Sequence, residues 1–426
     1  MKKMILIVFI LLIALSFCIL FIYHRHNRSA WIIENIHYKV RDGFELEAFL
    51  LRPKEINGKY PVAVCFHHAW GNRDDYLKLF PSFAEAGIIA VSPNLPRQLP
   101  NLDPKRFLDL IDTLDYVEAL SFVDKNKMGI VTSSLSVNNG AISITRKPNV
   151  IGAVMLSGPI MNEENRKWIT INSDLALLIM VSKYERINSL LMQEYLQRSL
   201  NPLSKAIFID NKEKTFKVEY HGTYLLDTYP ESIPQIQNFF IQVFDIQNKA
   251  NGHLDNPLPE NTVFFNSSDG LPVSATFVLP ENKRKNIPAV VLYPPRFKSR
   301  TYYDGLINNL LSQGIAVLAP NNKRTCRYQD TEFLCDREIE GALNFLNANN
   351  KIDKSRTAIV FPSAYFLAGK LLLINHKLPM KKVIFADDDI NSSDIDPREI
   401  KNSYYKIIYS RKPTFDQILA VIKSEL

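Results

Sequence analysis

Four cysteines in 426 residues are too few for a disulfide framework. Cys18 lies in an apolar run at the N-terminus and Cys65 in another, PVAVCF, which reads as a buried strand. Only Cys326 and Cys335 share a polar stretch, TCRYQDTEFLC. In an oxidising compartment they could pair as a disulfide; in a reducing one they are two ordinary thiols. Their spacing does not fit zinc and no histidine is near, so no metal is implied. Low-complexity tracts are missing too. With 46% hydrophobic and 22% charged residues, the chain is a packed globular protein rather than a disordered one. No basic stripe with interleaved aromatics stands out. The lysines and arginines behind the net charge of +7 are scattered among Asp and Glu, which argues against a nucleic-acid partner.

One long hydrophobic run is present. Residues 4–23 (MILIVFILLIALSFCILFIY) contain Ser16 as their single strongly polar residue and are followed by HRHNR. At about 1.5 Å per residue this run spans a bilayer core of roughly 30 Å. A cleaved signal peptide has a shorter apolar region and small residues at the cut. An uncleaved single-pass anchor therefore fits better than a signal peptide. A lipoprotein signal at LSFC is disfavoured by Phe17, where a small residue is needed. Lys2 and Lys3 precede the run; Arg25 and Arg28 follow it with His24 and His26. The positive-inside balance leans to a cytoplasmic N-terminus, which predicts a membrane location with the globular part outside the cytoplasm.

Self-similarity organises the rest. RDGFELEAFLLRP (41–53) matches SDGLPVSATFVLP (268–280), and AGIIAVSPN matches QGIAVLAPN. Asp42 and Asp269 are 227 residues apart, as are Tyr76 and Tyr303, Gly87 and Gly314, and Pro93 and Pro320. Further on, VDKNKMGIVTSSLS (123–136) matches IDKSRTAIVFPSAY (352–365) at an offset of 229. Each copy begins with a hairpin around Asp-Gly and continues with strands separated by helical patterns. That order predicts mostly parallel, doubly wound sheets covered by helices on both faces. After Ser134 the first copy predicts a helix and then the strands GAVMLSG, DLALLIMVS and FKVEYH. The polar, Pro- and Gly-containing stretch DIQNKANGHLDNPLPEN reads as a linker. The expected divisions are 1–28 as anchor, 29–245 as first domain, 246–261 as linker and 262–426 as a shorter second domain.

Within VDKNKMGIVTSSLSVNNG, Ser134 stands at a predicted strand-to-helix junction, one step from the pattern G-x-S-x-G. Taken alone, Ser134 or Ser133 could simply cap the helix. With the order of elements around it, the chain resembles the α/β-hydrolase superfamily, nearest in layout to dienelactone-hydrolase-like and prolyl-oligopeptidase-like members. The resemblance covers nearly all of residues 35–245 and a shorter second copy from 257. It implies a triad in the order Ser, acid, His, each after a strand. Ser134 matches the nucleophile, Glu185 in LALLIMVSKYER the acid, and His221 in FKVEYHGTYLL the base. His67-His68-Ala69-Trp70-Gly71 resembles the family's oxyanion loop, so the backbone N–H groups of Ala69 and Leu135 would form the hole. Thr132 and Ser136 replace the flanking glycines, Glu replaces the commoner Asp, and His68 replaces a loop Gly, which predicts a strained backbone or a narrowed pocket there. His67 reads as a structural support of the loop, and His37, His253 and His376 have no evident role.

The second copy reads as non-catalytic. Ser363 aligns with Ser134, but Phe361 and Tyr365 flank it, Pro294-Pro295 replaces the oxyanion loop, and Pro413 stands at the acid position. No counterpart of His221 follows. The resemblance implies a membrane-anchored serine hydrolase acting on a small-molecule ester, or on a peptide, with no cofactor. A transferase using the same triad is not separated from it. The alternative is a pair of catalytically silent hydrolase folds used for binding or scaffolding. MNEENRKWITINSD is the one candidate specificity segment, and it is short.

Overall fold

The computed structural model describes residues 30–68, 71–95, 106–160, 163–211, 214–215, 220–247, 252–254, 259, 261–268, 270, 272–281, 286–294, 300–321, 335–361, 382–387, 405–409 and 415–425. The apolar run 4–23 lies outside them, as does Cys326. Among the described residues, no helix is long and apolar enough to cross a membrane.

The hairpin pairs β1 (Ala30–Lys39) with β2 (Glu45–Pro53), in register from Trp31↔Pro53 to Lys39↔Glu45. Its turn closes through Val40, whose N–H donates to Phe44 O at 2.9 Å. β3 (Tyr60–Phe66), β4 (Ile89–Pro93), β5 (Val123–Ser133), β6 (Val150–Leu156), β7 (Ala176–Ser182) and β8 (Lys205–Ile209) complete the layer. With β9 (His253–Leu254) the sheet runs β8-β7-β6-β5-β3-β4-β2-β1-β9. From β4 through β8 the strands are parallel, which requires crossovers, and α1 (Phe80–Ala86), α2 (Arg106–Ala119), α3 (Leu135–Arg146), α4 (Glu163–Ile171) and α5 (Arg186–Arg198) supply them. α6 (Ser232–Val243) packs on β6 and β7. Covered on both faces, β7 is buried at every residue, as its unbroken run ALLIMVS requires.

Residues 216–219 of the expected strand FKVEYH lie outside the described residues, and residues 220–221 lead into a short helical turn, Gly222–Tyr224. Among the described residues the sheet ends at β8, a strand that the sequence reading did not predict. β8 is short and half-exposed at the sheet edge, so its sequence KAIFI lacks the alternation that marks a strand. Within the stretch 246–261, β9 pairs in parallel with β1 through Ala30↔His253 and Trp31↔Leu254. MNEENRKWITINSD contributes α4, an ordinary crossover between β6 and β7.

A second sheet is built from β10 (Thr262–Asn266), β11 (Pro272–Val278), β12 (Ile287–Leu292), β13 (Ala316–Pro320), β14 (Ile352–Phe361), β15 (Lys382–Asp387) and β16 (Tyr405–Tyr409). Its order is β10-β11-β13-β12-β14-β15-β16, flanked by α7 (Asp304–Ser312), α8 (Cys335–Ala348) and α9 (Phe415–Glu425). The pairings follow the sequence offsets. Ala48↔Pro93 in the first sheet corresponds to Ala275↔Pro320 in the second, and Val62↔Ile89 to Ala289↔Ala316. Side chains follow too: Tyr76 Oη donates to Phe66 O at 2.8 Å, and Tyr303 Oη to Tyr293 O at 3.2 Å.

Candidate active site

β4 and β5 lie on opposite sides of β3, so the chain leaves β3 and β5 in opposite directions at the C-terminal ends of the parallel strands. Such a switch point is where open α/β sheets bind ligands. Ser134 stands there, between the last residue of β5 and the first of α3. Its backbone is at φ 51 and ψ −118, a region that L-residues rarely occupy. Such a conformation costs about 1–3 kcal/mol and persists only where the surroundings impose it. Here they do: Ser134 N–H donates to Leu156 O at 2.9 Å, and Val137 N–H donates to Ser134 O at 3.0 Å. Gly158 packs against the same carbonyl, where a Cβ would lie 2.3 Å from Ser134 O. Ser134 occupies the N-cap position of α3, yet its side chain makes no cap hydrogen bond. The hydroxyl is turned instead toward His221, with Oγ 2.7 Å from Nε2.

The two residues that replace glycine are accommodated by specific contacts. Ser136 is fully buried; its hydroxyl accepts from Ser133 N–H at 2.7 Å and lies 2.7 Å from Phe66 O, tying the elbow to the end of β3. Thr132 donates to Val154 O at 3.0 Å, and its methyl group fills the space left by Gly140 on α3. A Cβ at position 140 would lie 2.5 Å from Thr132 Cγ2. Gly→Ala inside a helix ordinarily gains about 1 kcal/mol. Gly140→Ala will instead destabilise the fold by about 1–3 kcal/mol through overpacking. Thr132→Ser, which keeps the hydroxyl and removes the methyl, will restore most of that loss; urea unfolding of the single and double variants measures both.

Glu185 follows β7 and precedes α5, and it is buried, contrary to what a charged KYER loop suggests. Its Oε2 accepts from His221 Nδ1 at 3.0 Å and from Asn188 Nδ2 at 2.9 Å. Since Nδ1 faces a carboxylate, it carries the proton and leaves Nε2 as the acceptor for the Ser134 hydroxyl. Residues 51 and 36 positions apart in sequence thus form one continuous chain, Ser134–His221–Glu185. Asn188 has a legible signal, lying three residues beyond Glu185 on the first turn of α5.

The loop after β3 is rigidly held. His67 is buried, with Nδ1 donating to His68 O at 2.7 Å and Nε2 accepting from Leu95 N–H at 2.9 Å. Burial pushes its imidazole down to about 4, so it is a neutral structural group. His68 needs no strained backbone: among the described residues it is not one of those with positive φ. Its ring packs edge-on against Tyr224, 5.3 Å between centroids, and lies over Gly71, where a Cβ would come within 2.5 Å of Nδ1. The glycine freedom that the loop needs is thus found three residues along. Asp75, 3.8 Å from His68 Nδ1, accepts from Thr223 Oγ1 at 3.1 Å. Thr223 lies two residues beyond His221, so the β3 loop braces the histidine turn. No sequence pattern signals this link across 148 positions.

Leu135 opens α3, so its N–H has no intrahelical partner and is left for an outside acceptor. Ala69 lies outside the described residues, as do Pro295, Ser363, Tyr365 and Pro413 of the second copy. Cys335 begins α8, and Cys65 is a buried free thiol in β3. Among the described residues no cluster of His, Cys, Asp or Glu is arranged to hold a metal ion.

The sheet order, the strained serine turn and the serine–histidine–glutamate chain together make an α/β fold with a nucleophile, base and acid in one hydrogen-bonded line. By sequence the chain matches no protein-family model and no curated protein. Among solved structures it is similar to a protein assigned as a dienelactone hydrolase from Klebsiella pneumoniae, at 15% identity and a TM-score of 0.39, over 50% of this chain and 100% of that one. It is also similar to an esterase from Pyrobaculum calidifontis, at 14% identity and a TM-score of 0.39, over 49% of this chain and 85% of that one. A study of two prolyl endopeptidases supplies a third, at 15% identity and a TM-score of 0.36, over 51% of this chain and 39% of that one.

Proposed function

We propose that the first domain is a serine hydrolase that cleaves carboxylic esters, with peptide bonds as the second substrate class. The observation that carries this reading is the run of 2.7 Å and 3.0 Å contacts from Ser134 through His221 to the buried Glu185. Ser134 Oγ attacks the ester carbonyl while His221 Nε2 takes its proton. Glu185 holds the Nδ1 proton and stabilises the imidazolium. The N–H groups of Leu135 and Ala69 stabilise the oxyanion. The alcohol leaves with the proton from His221, and the acyl group stays on Ser134. Water then attacks the acyl-enzyme, His221 again acting as base, and the acid is released.

The experiment is active-site labelling of residues 29–426 with a fluorophosphonate. The label is expected on Ser134 and its absence from Ser134→Ala. Folded protein that never labels would overturn the assignment and leave the silent binding role.

Two further parts belong to the same reading. The second sheet is a tandem, non-catalytic copy of the first domain. Residues 1–28 anchor the chain in the membrane, with the globular part outside the cytoplasm. A phosphatase reporter that folds only outside the cytoplasm, fused after Leu426, will be active; activity of a cytoplasm-only reporter at the same place would refute the orientation.

A further inference from the structure

The two sheets meet through a buried polar contact that obeys the sequence repeat. Asp74 and Thr301 are equivalent positions, 227 residues apart, and so are Glu47 and Ser274, and Arg73 and Arg300. Ser274 Oγ donates to Asp74 Oδ2 at 3.3 Å; in the reciprocal contact, Thr301 Oγ1 donates to Glu47 Oε1 at 2.7 Å. Arg300 Nε is 2.8 Å from Asp74 Oδ2; reciprocally, Arg73 Nη2 is 3.4 Å from Thr301 Oγ1. When residue i of one copy meets j of the other and j meets i, the interface is isologous, as between the halves of a two-fold dimer.

The symmetry is broken in favour of the catalytic side. Arg300 is fixed by its own unit, donating to Thr276 and Thr262 at 3.1 and 2.7 Å, and presents Nε to the buried Asp74. Asn321 of the second unit donates to Asn72 Oδ1 at 2.6 Å, and Asn72 Nδ2 returns a hydrogen bond to Asn321 Oδ1. The same Asn72 oxygen accepts Asp74 N–H at 2.9 Å and shapes the turn Arg73–Tyr76. The next residue is Asp75, which holds Thr223 beside His221.

We infer that the second unit is a positioning element for the triad. Arg300, Ser274 and Asn321 hold the turn at residues 72–75, and that turn sets His221 through Asp75 and Thr223. A displacement of His221 by about 1 Å is enough to cost on the order of 100-fold in rate. The catalytic consequence rests on the serine-hydrolase assignment; the holding of the turn does not.

The test uses the chain 29–426 and two variants. Arg300→Met with Asp74→Asn removes both charges, so no buried charge is left alone. Asn321→Ala removes the second tie independently. Fluorophosphonate inactivation then gives kinact and KI, and hydrogen exchange reports on residues 71–79 and 220–224. The expected result is faster exchange in both segments and a fall in kinact of about 10-fold or more, with KI unchanged. A merely structural role would lower the melting temperature and leave kinact alone. Unchanged exchange at 220–224 in both variants overturns the positioning role whether or not the protein labels. Faster exchange with wild-type kinact overturns its catalytic consequence. If the parent chain itself never labels, it is the hydrolase assignment that fails, while the exchange result still decides the coupling.

Discussion

Ser134→Gly will be more stable than Ser134→Ala by about 1 kcal/mol, and both will lose fluorophosphonate labelling. At most positions the order is the reverse, because alanine restricts the unfolded chain and gains about 0.4–1 kcal/mol over glycine. At φ 51 and ψ −118 any Cβ is strained, and only glycine is free of that cost. Both variants lack the hydroxyl, so the comparison isolates backbone strain from the bond to His221. Paired urea titrations measure the difference. An alanine variant as stable as the glycine variant would mean that the turn is relaxed. The loss of turnover in either, taken on p-nitrophenyl acetate, will be on the order of 10⁶-fold, as expected when the nucleophile of a working triad is removed. The strain keeps the serine hydroxyl clear of α3 and aimed at Nε2, so stability is given up where chemistry needs a fixed direction.

Glu185→Gln will lower kcat by about 10⁴-fold and leave KM nearly unchanged. The carboxamide fits the buried site, and either of its orientations is wrong. With its NH₂ toward His221 it donates to Nδ1, moves the proton to Nε2 and blocks proton transfer from Ser134. With its oxygen there the tautomer is right, but no charge supports the imidazolium. Glu185 Oε1 receives no hydrogen bond from the described residues, so no donor there fixes which way the carboxamide turns. Steady-state kinetics on p-nitrophenyl acetate, with circular dichroism to show an intact fold, measures this. A loss of less than about 10-fold would remove Glu185 from the triad.

Much of this was legible along the chain. The repeat shows in constant offsets, because equal side chains recur wherever equal packing recurs. The candidate triad shows in order: Ser134, Glu185 and His221 each follow an apolar run that reads as a strand, and the resemblance gives that order its chemical meaning. Local signals reach that far and stop. KAIFI escapes them because a half-exposed edge strand of five residues has too little pattern. The acceptance of Thr132 and Ser136 escapes them as well, since it depends on Gly140 facing Thr132 and on Phe66 O facing Ser136. A departure from G-x-S-x-G looks damaging when neighbours along the chain are judged alone. The fold accommodates it, as the neighbours across the sheet show.

The amino-acid sequence by itself determined the constant repeat offsets and the αβ alternation, properties of spacing and residue type, and the resemblance it carries named Ser134, Glu185 and His221 as candidates. Tertiary structure alone decided that separations of 87 and 36 residues close to 3.0 Å or less, that Glu185 is buried, and that Ser134 is held at positive φ. It alone decided that Asp75 braces Thr223 and that Arg300 reaches Asp74. These contacts span 148 and 226 residues and are set by how the sheets twist and pack, a collective outcome of the whole core that no local stretch encodes.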